Sequence, residues 1–163
     1  MPDCHFRPYA PSDYSKLHEI RNAAFAPVFA SFRELVGDAI APIAFAAAEE
    51  EQGALLDQLC VRESGGELHV MEVGDEVAGF VALAFDHHTG IGEIELNAIH
   101  PGHQGRGLGL KMYNHACARL KLAGMKIATV GTGGDPAHAP ARRAYEKAGF
   151  SAGLPTVYLY KKL

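Results

Sequence analysis

The hydrophobic pattern changes period near residue 65. Before it, apolar positions fall at helical spacing. Leu17, Ile20, Ala24 and Phe25, after the N-cap signal Ser12-Asp13, predict a helix over residues 13–26. Pro27 predicts a restart, with Val28, Phe29, Phe32, Leu35 and Val36 in a second helix that ends at Gly37. Asp38 opens a third, alanine-rich helix running from 39 to about 62, with Glu49, Glu50 and Glu51 as its solvated face. A short strand over 4–9 precedes all three. After Ser64-Gly65-Gly66 the spacing becomes two. Leu68, Val70, Met71 and Val73 form one strand, Gly74-Asp75 a hairpin turn, and 77–85 the returning strand. A turn at His87-His88-Thr89-Gly90 leads into a strand over 91–99. A helix over 108–123 follows, closed by Gly124, then a strand over 125–130. A short helix within 135–148 stops at Gly149, and a last strand over 157–160 follows Pro155. This order predicts an α/β (α+β) fold: a mixed, mostly antiparallel sheet of about six or seven strands with helices on both faces.

Composition narrows the classes without choosing among them. A chain of 163 residues with 48% hydrophobic and 21% charged content has the size and make-up of one globular domain. The net charge is −4 and the basic residues are scattered, which argues against nucleic acid as a partner. Three dispersed cysteines, Cys4, Cys60 and Cys117, do not make a disulfide framework and suit a reducing cytoplasm. The opening MPDCHFRPYA lacks the pattern of a signal peptide. The longest apolar stretch, residues 39–48, is too short to span a bilayer, so no membrane is expected.

The chemistry gathers in NAIHPGHQGRGLGLKMY, residues 97–113, where a strand gives way to a helix through alternating glycines at 105, 107 and 109. Glycine allows positive φ and close approach of a ligand to the backbone, and a helix start offers unpaired N–H groups at the positive end of its dipole. Together these predict an anion site. The dinucleotide pattern GxGxxG fails at Leu110. The pattern GxxxxGK[ST], begun at Gly102, fails at Leu108-Gly109. Gln104-x-x-Gly107-x-Gly109 after Ala98-Ile99-x-Pro101 resembles instead the pyrophosphate loop of the GNAT superfamily of N-acetyltransferases, which holds acetyl-coenzyme A (acetyl-CoA). A second segment, Ala144-Tyr145-Glu146-Lys147-Ala148-Gly149-Phe150, resembles the xYxKxGF segment near the C-terminus of these enzymes.

The resemblance implies the following roles. The main chain of Asn97, Ala98 and Ile99 pairs with the pantetheine arm where two strands splay, and one of these N–H groups polarises the thioester carbonyl, worth ~3 kcal/mol by analogy with known oxyanion donors. Gln104, Gly105, Arg106, Gly107, Leu108, Gly109 and Leu110 take the pyrophosphate. His138 stands where many relatives have a cofactor-touching asparagine, and Tyr145 is the general acid for the departing thiolate. The N-terminal helices build the acceptor pocket. The resemblance is close over residues 67–163 and only in outline over 1–62, within a single domain spanning 1–163.

Glu93, Glu95 and Asn97 alternate along their strand and are expected on one face. A protonated alkylamine, with a pKa near about 10, must lose a proton before it attacks, so either glutamate is a candidate base, and Glu93 aligns with the glutamate of the histone-acetyltransferase branch. A bulge in this strand would re-aim either side chain. Phe25, Phe29 and Phe32 are candidates for the acceptor wall. No metal is expected: His87-His88 are adjacent, and His100 and His103 lack a further ligand nearby in sequence. The implied activity is acetyl transfer from acetyl-CoA, as co-substrate, to a primary amine of a small molecule or peptide in a ternary complex. The alternative is a catalytically silent acyl-CoA sensor. A homodimer is possible through the last strand.

Overall fold

The computed structural model describes residues 3–163; Met1 and Pro2, part of the opening stretch read above, lie outside them. Five strands form one sheet in the order β1-β2-β3-β4-β5: β1 (His5–Pro8), β2 (Gly66–Val73), β3 (Glu76–Asp86), β4 (Ile91–Ile99) and β5 (Ile127–Val130). The first four are antiparallel to their neighbours, and β5 runs parallel to β4. Helices α1 (Tyr14–Val36), α2 (Ala41–Ala44) and α3 (Ala48–Val61) precede β2; α4 (Leu108–Leu122) and α5 (Ala139–Lys147) flank β5 in the chain.

Two apolar layers hold the sheet. On one face Leu17, Ile20 and Leu56 from α1 and α3 bury against Val70, Phe80 and Ala98. On the other, Leu108, Met112, Ala116 and Leu120 of α4 and Tyr145 of α5 bury against Met71, Val81, Leu83 and Ile94. Each fully buried Leu, Ile or Phe contributes roughly 1.5–3 kcal/mol. The strand over 91–99 and the β2–β3 hairpin appear as expected.

Three expectations are corrected. The helices over 13–26 and 27–37 are one helix, with Pro27 inside it. Pro27 is exposed, while Leu17 and Ile20 before it and Val28 and Phe29 after it are buried, so packing carries the helix across the missing hydrogen bond. The third helix is broken. Asp38 makes no cap, α2 is a single turn, and the chain turns at Phe45 because its ring packs 5.7 Å from Phe32 and its carbonyl accepts from Arg33 at 2.9 Å. The last strand is absent. Among the described residues, 151–163 pair with no strand, and the sheet has five strands rather than six or seven. No helix among the described residues is long and apolar enough to cross a membrane.

Candidate active site

The site begins with a fault in β4. Opposite β3, Ile94 faces Leu83 and Asn97 faces Val81, so Glu95 and Leu96 together span the width of Ala82. This is a β-bulge, and it reverses the inside-out alternation beyond it. Ile94 buries on the α4 side, whereas Leu96 and Ala98 pack on the α1 side. The expected shared face is therefore wrong for Asn97. Its side chain reaches the tyrosines of α4 and α5, while Glu95 turns to Arg62, just after α3, at 2.6 Å.

The same point ends the pairing with β5, which matches β4 only from Ile91 to Ile94. Beyond it the outer edge of β4 has no neighbouring strand among the described residues. His100 N–H donates to Ala78 O at 2.8 Å, and hydrogen-bonded pairs alternate along an antiparallel ladder. Ala98 is therefore bonded toward β3, and the main-chain groups of Asn97 and Ile99 point into the split. Of the three residues expected to pair with the cofactor, Ala98 does not offer its N–H. The Gln104 amide folds back to Ile99 O at 2.8 Å and occupies that carbonyl.

The glycine-rich turn closes onto α4 next to this split. Gly105 and Gly107 both have φ +76°, and Gly107 is the N-cap of α4. No side chain caps the helix and its first turn has no acidic residue, so the N–H groups of Leu108, Gly109 and Leu110 lack both an intrahelical partner and a counter-charge. A Cβ on Gly105 would meet nothing, so φ is what calls for glycine there. A Cβ on Gly109 would stand 3.4 Å from Ala144, which is how closely α5 approaches α4. Arg106 is exposed at the mouth. These donors fit a diphosphate.

Tyr145 lies where the split and the loop meet. Its ring stacks on Tyr113 of α4 at 4.1 Å, and both are buried. Asn97 joins them: its Nδ2 donates to the Tyr145 hydroxyl at 3.3 Å, and its Oδ1 accepts from the Tyr113 hydroxyl at 3.2 Å. Burial pushes both phenols upward; for Tyr145, hydrogen bonds to Tyr113 and Asn97 work against that rise without cancelling it. Tyr145 is therefore a neutral proton donor at physiological pH. Sequence reasoning missed Tyr113. The available signal was a tyrosine on the inward face of α4, where a buried hydroxyl requires a partner.

The family model for the acetyltransferase (GNAT) family matches residues 17–150. The chain belongs to the GNAT family. No curated protein sequence matches it. Among solved structures, a GNAT acetyltransferase from Brucella melitensis in complex with acetyl-CoA is 22% identical, with a TM-score of 0.64 over 93% of this chain and 85% of that one. A putative GNAT acetyltransferase from Desulfovibrio desulfuricans is 22% identical, with a TM-score of 0.70 over 93% and 87%. An aminoglycoside acetyltransferase from an uncultured soil metagenomic sample, in complex with sisomicin, is 16% identical, with a TM-score of 0.63 over 98% and 96%. These likenesses are likenesses of fold.

The remaining candidates of this GNAT chain are distributed unevenly. Glu93 is exposed on β4 below the split, still opposite Thr129 of β5. His138 is committed to the fold: its Nδ1 pairs with buried Asp135 and its ring stacks on Phe32 at 5.7 Å. Asp135 also accepts from Ser31 Oγ at 3.1 Å and from the Ala137 N–H. Burial pushes this carboxyl up, yet His138 and Ser31 outweigh it and hold it below its ordinary value. Phe25, Phe29, Phe32 and Phe45 make a row of ring contacts 5.7–6.5 Å apart from α1 into the α2–α3 link, and Phe29 is buried. Among the described residues no cluster of three or more His, Cys, Asp or Glu is arranged to hold a metal.

Proposed function

We propose that this GNAT protein transfers an acetyl group from acetyl-CoA to a primary amine of a small molecule or peptide, directly and within a ternary complex. The observation that carries the reading is the parting of β4 from β5 at the Glu95–Leu96 bulge, beside an uncapped helix start and a buried phenol. The amides of residues 105–110 hold the diphosphate of acetyl-CoA. The Asn97 or Ile99 N–H donates a hydrogen bond to the thioester oxygen and stabilises the negative charge that develops there. The amine nitrogen bonds to the carbonyl carbon, the carbon–sulfur bond breaks, and Tyr145 gives its proton to the sulfur. Glu95, at the bulge, takes the proton that the amine sheds, directly or through water. Arg62 fixes that carboxylate. Residues 1–163 act as one unit, with the helices of 1–62 forming the acceptor side.

Replacing Tyr145 with Phe tests this. A lost general acid costs on the order of 10²-fold or more in turnover. The variant is expected to lose that much in thiol release while its acetyl-CoA affinity, read by calorimetry, stays close to that of the parent. Unchanged acetyl transfer overturns the role of Tyr145. Coenzyme binding by the parent without transfer to any of a panel of amines supports a silent sensor.

A further inference from the structure

The hydrogen bonds among Asn97, Tyr113 and Tyr145 have directions, and one group outside the set fixes them. The main-chain carbonyl of Glu95 lies just past Ile94, the last residue of β4 that β5 pairs, and it accepts from Asn97 Nδ2 at 3.0 Å. A carbonyl can only accept, so the end of the Asn97 amide that faces it is the NH2 and the other end is the oxygen. Asn97 Oδ1 can only accept in turn, so the Tyr113 hydroxyl, 3.2 Å away, donates to it.

The second hydrogen of Asn97 Nδ2 goes to the Tyr145 hydroxyl at 3.3 Å. Where the two phenols meet, Tyr113 is again the donor: the contact pushes Tyr113 up and Tyr145 down. Both bonds therefore end on the Tyr145 oxygen, and neither uses its hydrogen. Both phenols are buried with their rings stacked, so bulk water does not scramble these directions.

We infer that Asn97, through its side chain, and Tyr113 are positioning residues for proton delivery: they fill the acceptor side of the Tyr145 oxygen and leave its O–H for the ligand in the split. This rests on the reading above, in which Tyr145 protonates the departing sulfur. In that step the Tyr145 O–H bond breaks as an S–H bond forms. The negative charge passes from sulfur to the Tyr145 oxygen, where the Asn97 and Tyr113 donors meet it, and solvent then restores the proton. Hydrogen bonds donated to the charged form favour it, so the same two bonds orient the acid and ease its ionisation. The residue at the bulge serves both proton transfers, its carboxylate for the amine and its carbonyl for the orientation of the acid.

The test is a double-mutant cycle on steady-state thiol release, with acetyl-CoA and a saturating amine that the parent acetylates. Tyr113→Phe keeps the ring and removes only the donor. It is expected to lower kcat about tenfold while KM for acetyl-CoA stays within about twofold. In a Tyr145→Phe background the same substitution is expected to change kcat by less than about twofold, because no proton is left to orient. Asn97→Asp keeps the shape of the side chain but puts an acceptor where Nδ2 donates. It is expected to cost at least as much as Tyr113→Phe, to be silent in the same background, and to carry the test should Tyr113→Phe not fold. A parent-like kcat for these variants overturns the inference. So does a loss that persists without the Tyr145 hydroxyl, since a merely structural role costs the same with or without it. Tyr145→Phe at the parent's kcat is a different failure: it overturns the acid itself, and this inference with it.

Discussion

Glu95 and Glu93 show how much one inserted residue decides. Had β4 run without a bulge, both carboxylates and Asn97 would have shared a face, and neither glutamate would be distinguished. With it, Glu95 sits where the strands part, held by Arg62 at 2.6 Å, and Glu93 stays on the paired part of the strand in solvent. We therefore expect Glu95→Gln to lower kcat/KM by about 10²-fold or more, the range for a lost general base. Glu93→Gln should leave it within a few-fold. The measurement is steady-state thiol release with a responsive amine, and the reverse order of effects would move the base to Glu93. Asn97 was legible as a residue close in sequence to the glycine-rich turn. Its side-chain bonds to two phenols were not, because they join residues 16 and 48 positions away in sequence.

At the scale of elements, Pro27 is the informative case. A proline inside a helix removes one backbone bond and crowds the preceding turn, at a cost of up to about 3 kcal/mol relative to alanine. α1 continues because the burial of Val28 and Phe29 outweighs that cost. Pro27→Ala is thus expected to stabilise the protein by about 1–3 kcal/mol, read as a raised denaturant midpoint; a lowered midpoint would mean that the proline relieves strain. The strands and α4 were legible because period and turn residues agree, from Gly74 in the hairpin to Gly124 after α4. The bulge was not. EIELNAI alternates so regularly that nothing local marks an extra residue, and only pairing against Val81 and Leu83 reveals it. The strand expected over 157–160 failed for the converse reason: its composition suits a strand, but none of the described strands pairs with it.

Across the molecule, β1, β2 and α4 are tied by a polar bridge away from the proposed site. Glu67 accepts from Arg119 at 2.6 and 2.8 Å and pairs with buried His69 at 2.9 Å. His69 meets His115 at 3.0 Å, and Phe6 stacks on His115 at 4.1 Å. Burial, together with His69 and Arg119, pushes His115 down to about 4, and burial also lowers His69. The folded state therefore binds fewer protons here than the unfolded chain, where imidazole titrates near about 6.5. This contribution to stability is complete above that value and drains away as pH falls towards 4. Calorimetry should show Tm falling by a few degrees between pH 7 and pH 5, with a shallower slope for His115→Gln. An unchanged slope would place the acid sensitivity elsewhere.

The claim on which these roles depend is that the split beyond Glu95 and the helix start at Gly107 hold one ligand between them. A crystal structure with coenzyme A bound measures this directly. The account predicts the diphosphate within hydrogen-bond distance of the amides of residues 105–110, the pantetheine against the main chain of Asn97 and Ile99, and the sulfur beside the Tyr145 hydroxyl. Coenzyme A seated elsewhere, or with its sulfur remote from Tyr145, would contradict it.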